Sequence, residues 1–154
     1  MSWRGRIVCW CVAALALLPA SAARASLHGC QVSATSVNFG TYNVFSVSNL
    51  VTTGTVTISS CYGAGAATVT IDKGQHSASF STRDMIKSGG SDLLNYNLYL
   101  DAAMTQIWGD GTGGTSVWSA SGNSQHTIYG NVPAGQTGVS VGTYSDVVTI
   151  TVNF

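Results

Sequence analysis

The segment from Gly142 to Phe154 reads GTYSDVVTITVNF, and from Val148 onward its even positions are apolar and its odd positions polar. Val148, Ile150, Val152 and Phe154 alternate with Thr149, Thr151 and Asn153. Successive side chains of a strand point to opposite faces, so a period of two marks a half-buried β-strand; a helix would repeat near 3.6. β-Branched residues crowd the segment, and neither Pro nor Gly follows Gly142. The alternation runs to the last residue. A strand of this kind needs a partner along each edge, and the sequence raises the question of what pairs with the free one.

The other end of the chain has a different character. Arg4 and Arg6 precede an apolar run from Ile7 to Leu18, and Pro19, Ser21 and the small-x-small triplet Ala23-Arg24-Ala25 follow. That is the plan of an export signal peptide, with cleavage expected after Ala25 and Ala23 as the second choice. The run is shorter than the ~20 residues a membrane span requires. Residues 1–25 are therefore expected to be leader and 26–154 the folded domain. Cleavage removes Cys9 and Cys11 and leaves Cys30 and Cys61, an even pair that points to one disulfide in an oxidising compartment. Closing a loop of about 30 residues would contribute roughly 3–4 kcal/mol. The rival is a metal site, for which the only extra ligand at a suitable spacing is His28, two residues before Cys30.

After the leader, Lys73, Arg83 and Lys87 face six aspartates and no glutamate, a net charge of −3 with histidine neutral. No basic stripe exists for nucleic acid or an anionic membrane. Charge this sparse also puts little repulsion between copies, which suits a protein that assembles.

Short strands separated by Gly, Asn, Asp and Ser recur along the domain, with no helical stretch longer than two turns, which predicts an all-β antiparallel sandwich or barrel. Cys30–Phe39 is the first expected strand. Val32 and Ala34 share the Cys30 side, so Val37 and Phe39 demand a change of face near Ser36. Leu50–Cys61, Ala67–Asp72, a short edge segment at Phe80–Met85, and Asp92–Asp101 follow. In the last of these Leu94, Tyr96, Leu98 and Leu100 line one face. Short pieces at Thr105–Trp108 and Ser116–Trp118, then Gln125–Val132, lead to the final strand.

Signals for chemistry are weak. No G-x-S-x-G elbow is present, and His28, His76 and His126 sit in polar surroundings without a partnered nucleophile. Asp84, Asp101 and Asp110 read as turn residues. Asp110-Gly111-Thr112-Gly113 offers one carboxylate where a calcium site takes six to eight oxygens. The domain is expected to need no cofactor and no metal. Trp108 and Trp118 are candidates for stacking on sugar rings, against the commoner use of Trp in cores and interfaces.

Several motifs occur together and in order: Phe39-Gly40-Thr41-Tyr42, Arg83-Asp84-Met85, Leu94-Asn95-Tyr96-Asn97-Leu98-Tyr99, Trp108-Gly109-Asp110-Gly111, Tyr129-Gly130, Gly135-Gln136 and Gly142-Thr143-Tyr144-Ser145-Asp146. From Cys30 to Phe154 the chain resembles the spore coat protein U domain, a family that includes subunits of archaic chaperone–usher pili. The resemblance implies an incomplete immunoglobulin-like β-sandwich whose missing strand a partner supplies. It implies a periplasmic chaperone, an outer-membrane usher and other pilus or coat subunits as partners, and a place on the cell surface. The implied groove lies between the strands holding Val32, Val37 and Phe39 and those holding Val148, Ile150, Val152 and Phe154, with Phe154 anchoring in the chaperone. Filling it with about five apolar side chains would contribute roughly 8–15 kcal/mol before entropy costs. Only Ser26, Leu27, His28 and Gly29 stand between the expected cut and Cys30, too short a segment to donate a strand at ~3.3 Å per residue. A tip-like subunit, or a coat protein that does not polymerise, is expected.

Overall fold

The computed structural model describes residues 2–12, 25–27, 30–60 and 66–153, with side chains described in 31–60 and 66–153. The strands are β1 (Ser2–Val12), β2 (Ala25–Leu27), β3 (Cys30–Ala34), β4 (Val37–Gly40), β5 (Leu50–Ser59), β6 (Ala66–Ile71), β7 (Arg83–Lys87), β8 (Leu93–Tyr99), β9 (Trp118–Ser121), β10 (Ser124–Val132) and β11 (Thr143–Asn153). No helix occurs among the described residues, and none there is long and apolar enough to cross a membrane.

The architecture is an immunoglobulin-like antiparallel sandwich. One layer, the facing sheet, runs β2–β3–β5–β10–β8. The other, the slot sheet, runs β8–β7–β11–β1–β4, with β6 on β11 and β9 on β6. β8 belongs to both: its end pairs with β10 through Asn97–Tyr99, and its start pairs with β7 through Leu93–Tyr96. Between the layers lies one core that includes Ile58, Val69, Met85, Leu98, Ile128 and Val148. Each such side chain contributes roughly 1.5–3 kcal/mol when fully buried.

The expected change of face near Ser36 is a change of sheet. β3 pairs with β5 in the facing sheet, the chain breaks at Thr35–Ser36, and β4 resumes in the slot sheet beside β1. β4 must lie close over the facing sheet for Val37 and Phe39 to enter the core. Gly54 of β5 and Gly130 of β10 make this possible: a Cβ on Gly54 would stand 2.8 Å from Val37, and one on Gly130 2.8 Å from both Val37 and Phe39. β4 ends at Gly40, whose φ of +73° turns the chain away. Thr105–Trp108 forms no strand; Ile107 and Trp108 make isolated bridges to Tyr99 and Ser116.

The close approach of β4 sets a test. Gly130→Ala should lower unfolding stability by about 1–3 kcal/mol, the range for overpacking a filled core. Gly138→Ala, where a Cβ meets nothing within 4 Å, should leave it near wild type. Urea unfolding of the two variants side by side checks this.

Candidate functional site

β11 is the centre of the slot sheet, and its two edges are used differently. One edge pairs with β7 at Tyr144 and Ser145 and with β6 from Ile150 to Asn153. Between them the Asp72 loop completes the edge: Asp72 N donates to Thr149 O at 3.0 Å, and Thr149 N donates to Asp72 Oδ1 at 2.9 Å. The other edge pairs with a single strand over its whole length. That strand is β1, which runs antiparallel to β11 from Ser2 opposite Asn153 to Val12 opposite Thr143. On its far side β1 runs parallel to β4, with Cys9 opposite Val37 and Cys11 opposite Gly40. The domain from Cys30 onward thus provides two walls, β4 and β11, with room for one strand between them.

Val37, Phe39, Val148, Ile150 and Val152 are buried on these walls. Val32 is buried too, but in β3 opposite Ile58, so it is a core residue of the facing sheet and not part of a wall. Phe154 lies outside the described residues. Cys30 opens β3, whereas Cys61, and with it the expected disulfide, lies outside them. Residues 2–12, read from the sequence as leader, stand in the sheet; the two open edges offer backbone partners to any β-prone segment of the same chain. At the end of the slot a cavity of about 400 Å³ opens between Tyr42, Phe45, Leu94, Val139 and Tyr144.

Polar contacts fix the walls. Asp146 is 1 % exposed within β11. Its Oδ2 accepts from Tyr96 Oη at 2.7 Å, and its Oδ1 accepts from Gln75 N at 3.0 Å and lies 3.1 Å from His76 Nδ1. Gly74 passes so close that a Cβ there would fall on the carboxylate. Arg83 is 0 % exposed, and its guanidinium donates to Asp72 O, Trp108 O and Asn97 Oδ1. Asn97 in turn donates to Phe80 O and Ser81 O. Tyr42 Oη donates to Pro133 O and accepts from Gln136 N, and the Gln136 amide pairs with Asn95 N and O as a strand would. Arg83 and Gln136 carry no catalytic signature, and only their place in the quoted motifs marks them in the sequence.

Trp108 and Trp118 do come together, but not as a sugar platform. Trp108 is 0 % exposed and its indole Nε1 donates to Val69 O, which removes it from any surface site. Trp118 is half-buried and stacks on His126 at 5.1 Å between ring centroids. The second cavity, about 570 Å³ and lined by Asp72, Lys73, Phe80 and Asp110, is open, and its carboxylates are engaged in turns. Asp72 Oδ1 accepts from Gly74 N and Thr149 N, and Asp110 Oδ1 accepts from Thr112 N and Oγ1. Hydrogen bonds from Thr112 hold the Asp110 carboxyl below the usual carboxylate range. Among the described residues no group of His, Cys or Asp is placed to hold a metal.

The fold is thus an immunoglobulin-like sandwich in which β1 lies between β4 and β11. The chain belongs to the Spore Coat Protein U domain family, which matches residues 14–151. It is similar to Protein U of Myxococcus xanthus, with 33% identity over 129 residues that cover 77% of this chain and 71% of that protein. Membership makes it a coat- or surface-associated protein of a structural rather than enzymatic family.

Two measurements follow from the polar contacts. Arg83→Met leaves the Asp72 and Trp108 carbonyls without their donor and should cost about 3 kcal/mol or more in urea unfolding. Burial lowers the His126 pKa from its usual value of 6.5, against a smaller opposing effect of a hydrogen bond to the Leu100 backbone. The unfolded chain therefore takes up a proton near pH 6.5 that the folded chain refuses until lower pH. Stability should fall as pH drops from about 7 towards 5, and this fall should shrink in His126→Gln.

Proposed function

We propose that this protein is an exported subunit of a cell-surface coat or pilus whose sheet is completed by a β-strand from another polypeptide. The observation that carries this reading is the slot: the far edge of β11 pairs with a strand from outside the domain, Ser2–Val12. With residues 1–25 removed as a leader, β11 and β4 face each other across an unfilled strand position. An open apolar edge is an aggregation hazard, and strand addition is a standard cover for it. The family resemblance supplies the donors in order: a periplasmic chaperone lends a strand first, and a neighbouring subunit delivered at an outer-membrane usher replaces it. Phe154 would anchor in the chaperone.

The exported chain accepts a strand and does not give one. Four residues separate the proposed cut from Cys30, and part of that segment is already engaged, since Ser26 and Leu27 pair with Gln31 and Cys30. This supports a tip-like place in a pilus, or a coat role without head-to-tail polymerisation.

Photo-crosslinking of the exported protein tests the reading. A crosslinking residue at Thr149, on the half-buried outer face of β11, should give a covalent adduct with a second polypeptide. An exported protein that stays monomeric, gives no adduct and still protects its β11 amides would exclude strand acceptance.

A further inference from the structure

We infer that Ser2–Val12 is the first occupant of the slot: in the uncut chain it completes the sheet in cis, and its removal makes the slot available to a partner strand. This rests on the proposed reading of residues 1–25 as leader and of the slot as acceptor.

Three observations carry it. The pairing is full length, because β1 covers every residue of β11 from Thr143 to Asn153 without a break in register. It is also two-sided, because the same strand pairs with β4. Finally, the parity of the register suits the slot. Trp3, Gly5, Ile7, Cys9 and Cys11 stand opposite Val152, Ile150, Val148, Asp146 and Tyr144, the buried set of β11. Arg4 and Arg6 stand opposite Thr151 and Thr149, on its half-buried outer set. A slip of one residue would put both arginines opposite buried positions.

The tether suits the role as well. Twelve residues separate Val12 from Ala25, a contour of up to about 40 Å, ample to cross between two sheets packed roughly 10 Å apart. A free donor strand meets a filled slot until the tether is cut. An export peptidase does this by hydrolysing the Ala25–Ser26 bond: water adds across it, leaving a carboxylate on Ala25 and an amine on Ser26. The freed segment is then diluted and the slot opens. The partner that follows is one extended strand with apolar residues at alternate positions.

Hydrogen exchange on the refolded full chain, with a specific protease site placed within residues 13–24, tests this. The β11 amides should be protected in the uncut chain, and cutting followed by dilution should speed their exchange on the order of a hundredfold. A synthetic peptide of residues 2–12 should restore protection. Ile7→Asp, at the register position opposite Val148, should lose protection before cutting and regain it with an added wild-type peptide, which shows that the domain itself has folded. Arg6→Ser, opposite Thr149, should behave as wild type. An uncut chain with unprotected β11 that an added alternating peptide then protects would overturn the inference and leave the acceptor slot standing. Unchanged protection in Ile7→Asp would do the same. β11 that stays fully protected after the segment has been removed would overturn both.

Discussion

Every strand inside a sheet has two rows of backbone donors and acceptors, and β11 makes this constraint decisive. It carries Tyr144, Asp146, Val148, Ile150 and Val152 into the core, and both of its edges are paired. One of its edges is satisfied by β7, β6 and the Asp72 loop, all from the domain itself. Among the described residues, the other is satisfied by β1. The break at Thr35–Ser36, the glycines beneath β4 and the cavity at the slot end all follow from keeping a second wall one strand away from β11.

The walls hold their spacing because the loops that frame them are tied by buried polar groups. Arg83 joins three segments that are far apart in sequence, through the carbonyls of Asp72 and Trp108 and the side chain of Asn97. A buried guanidinium is costly without partners, so those carbonyls are fixed as much as they fix it. Asp146 gathers Tyr96, Gln75 and His76 onto the strand that lines the slot. Gln136 and Tyr42 close the far end by pairing with backbone groups. Several residues of the quoted motifs, among them Tyr42, Arg83, Tyr96, Asn97, Gln136 and Asp146, take part in these ties. They fix the frame of the sandwich around β11.

Legibility in the sequence varied with burial pattern. β5, β8 and β11 have one wet and one dry face, and their limits emerge within a residue or two of the expected ones because alternation reports that difference directly. β4 was legible as a change of face at Ser36 but not as a change of sheet, since both give the same parity shift. Asn97 lay on the polar side of its strand in the sequence, yet it is buried because Arg83 meets it there. Trp108 looked available for sugar contact, yet tertiary packing under Trp118 and His126 encloses it. The pairing of Ser2–Val12 has no local signature, because an apolar run with two arginines reads as an export signal and nothing local tells which edge it will meet.

The sequence by itself determined the class of fold and the final strand, because alternation and turn residues are local properties that survive in a linear reading. It also determined the family, through motifs whose joint order is specific. Only the tertiary structure decided that β4 rather than β3 forms the second wall, that Arg83 and Asp146 hold the frame, and that one strand position lies between β4 and β11. Those facts depend on which residues far apart in the chain meet across the core. Such meetings are set by the shape of the folded sandwich and leave no periodic trace along the chain.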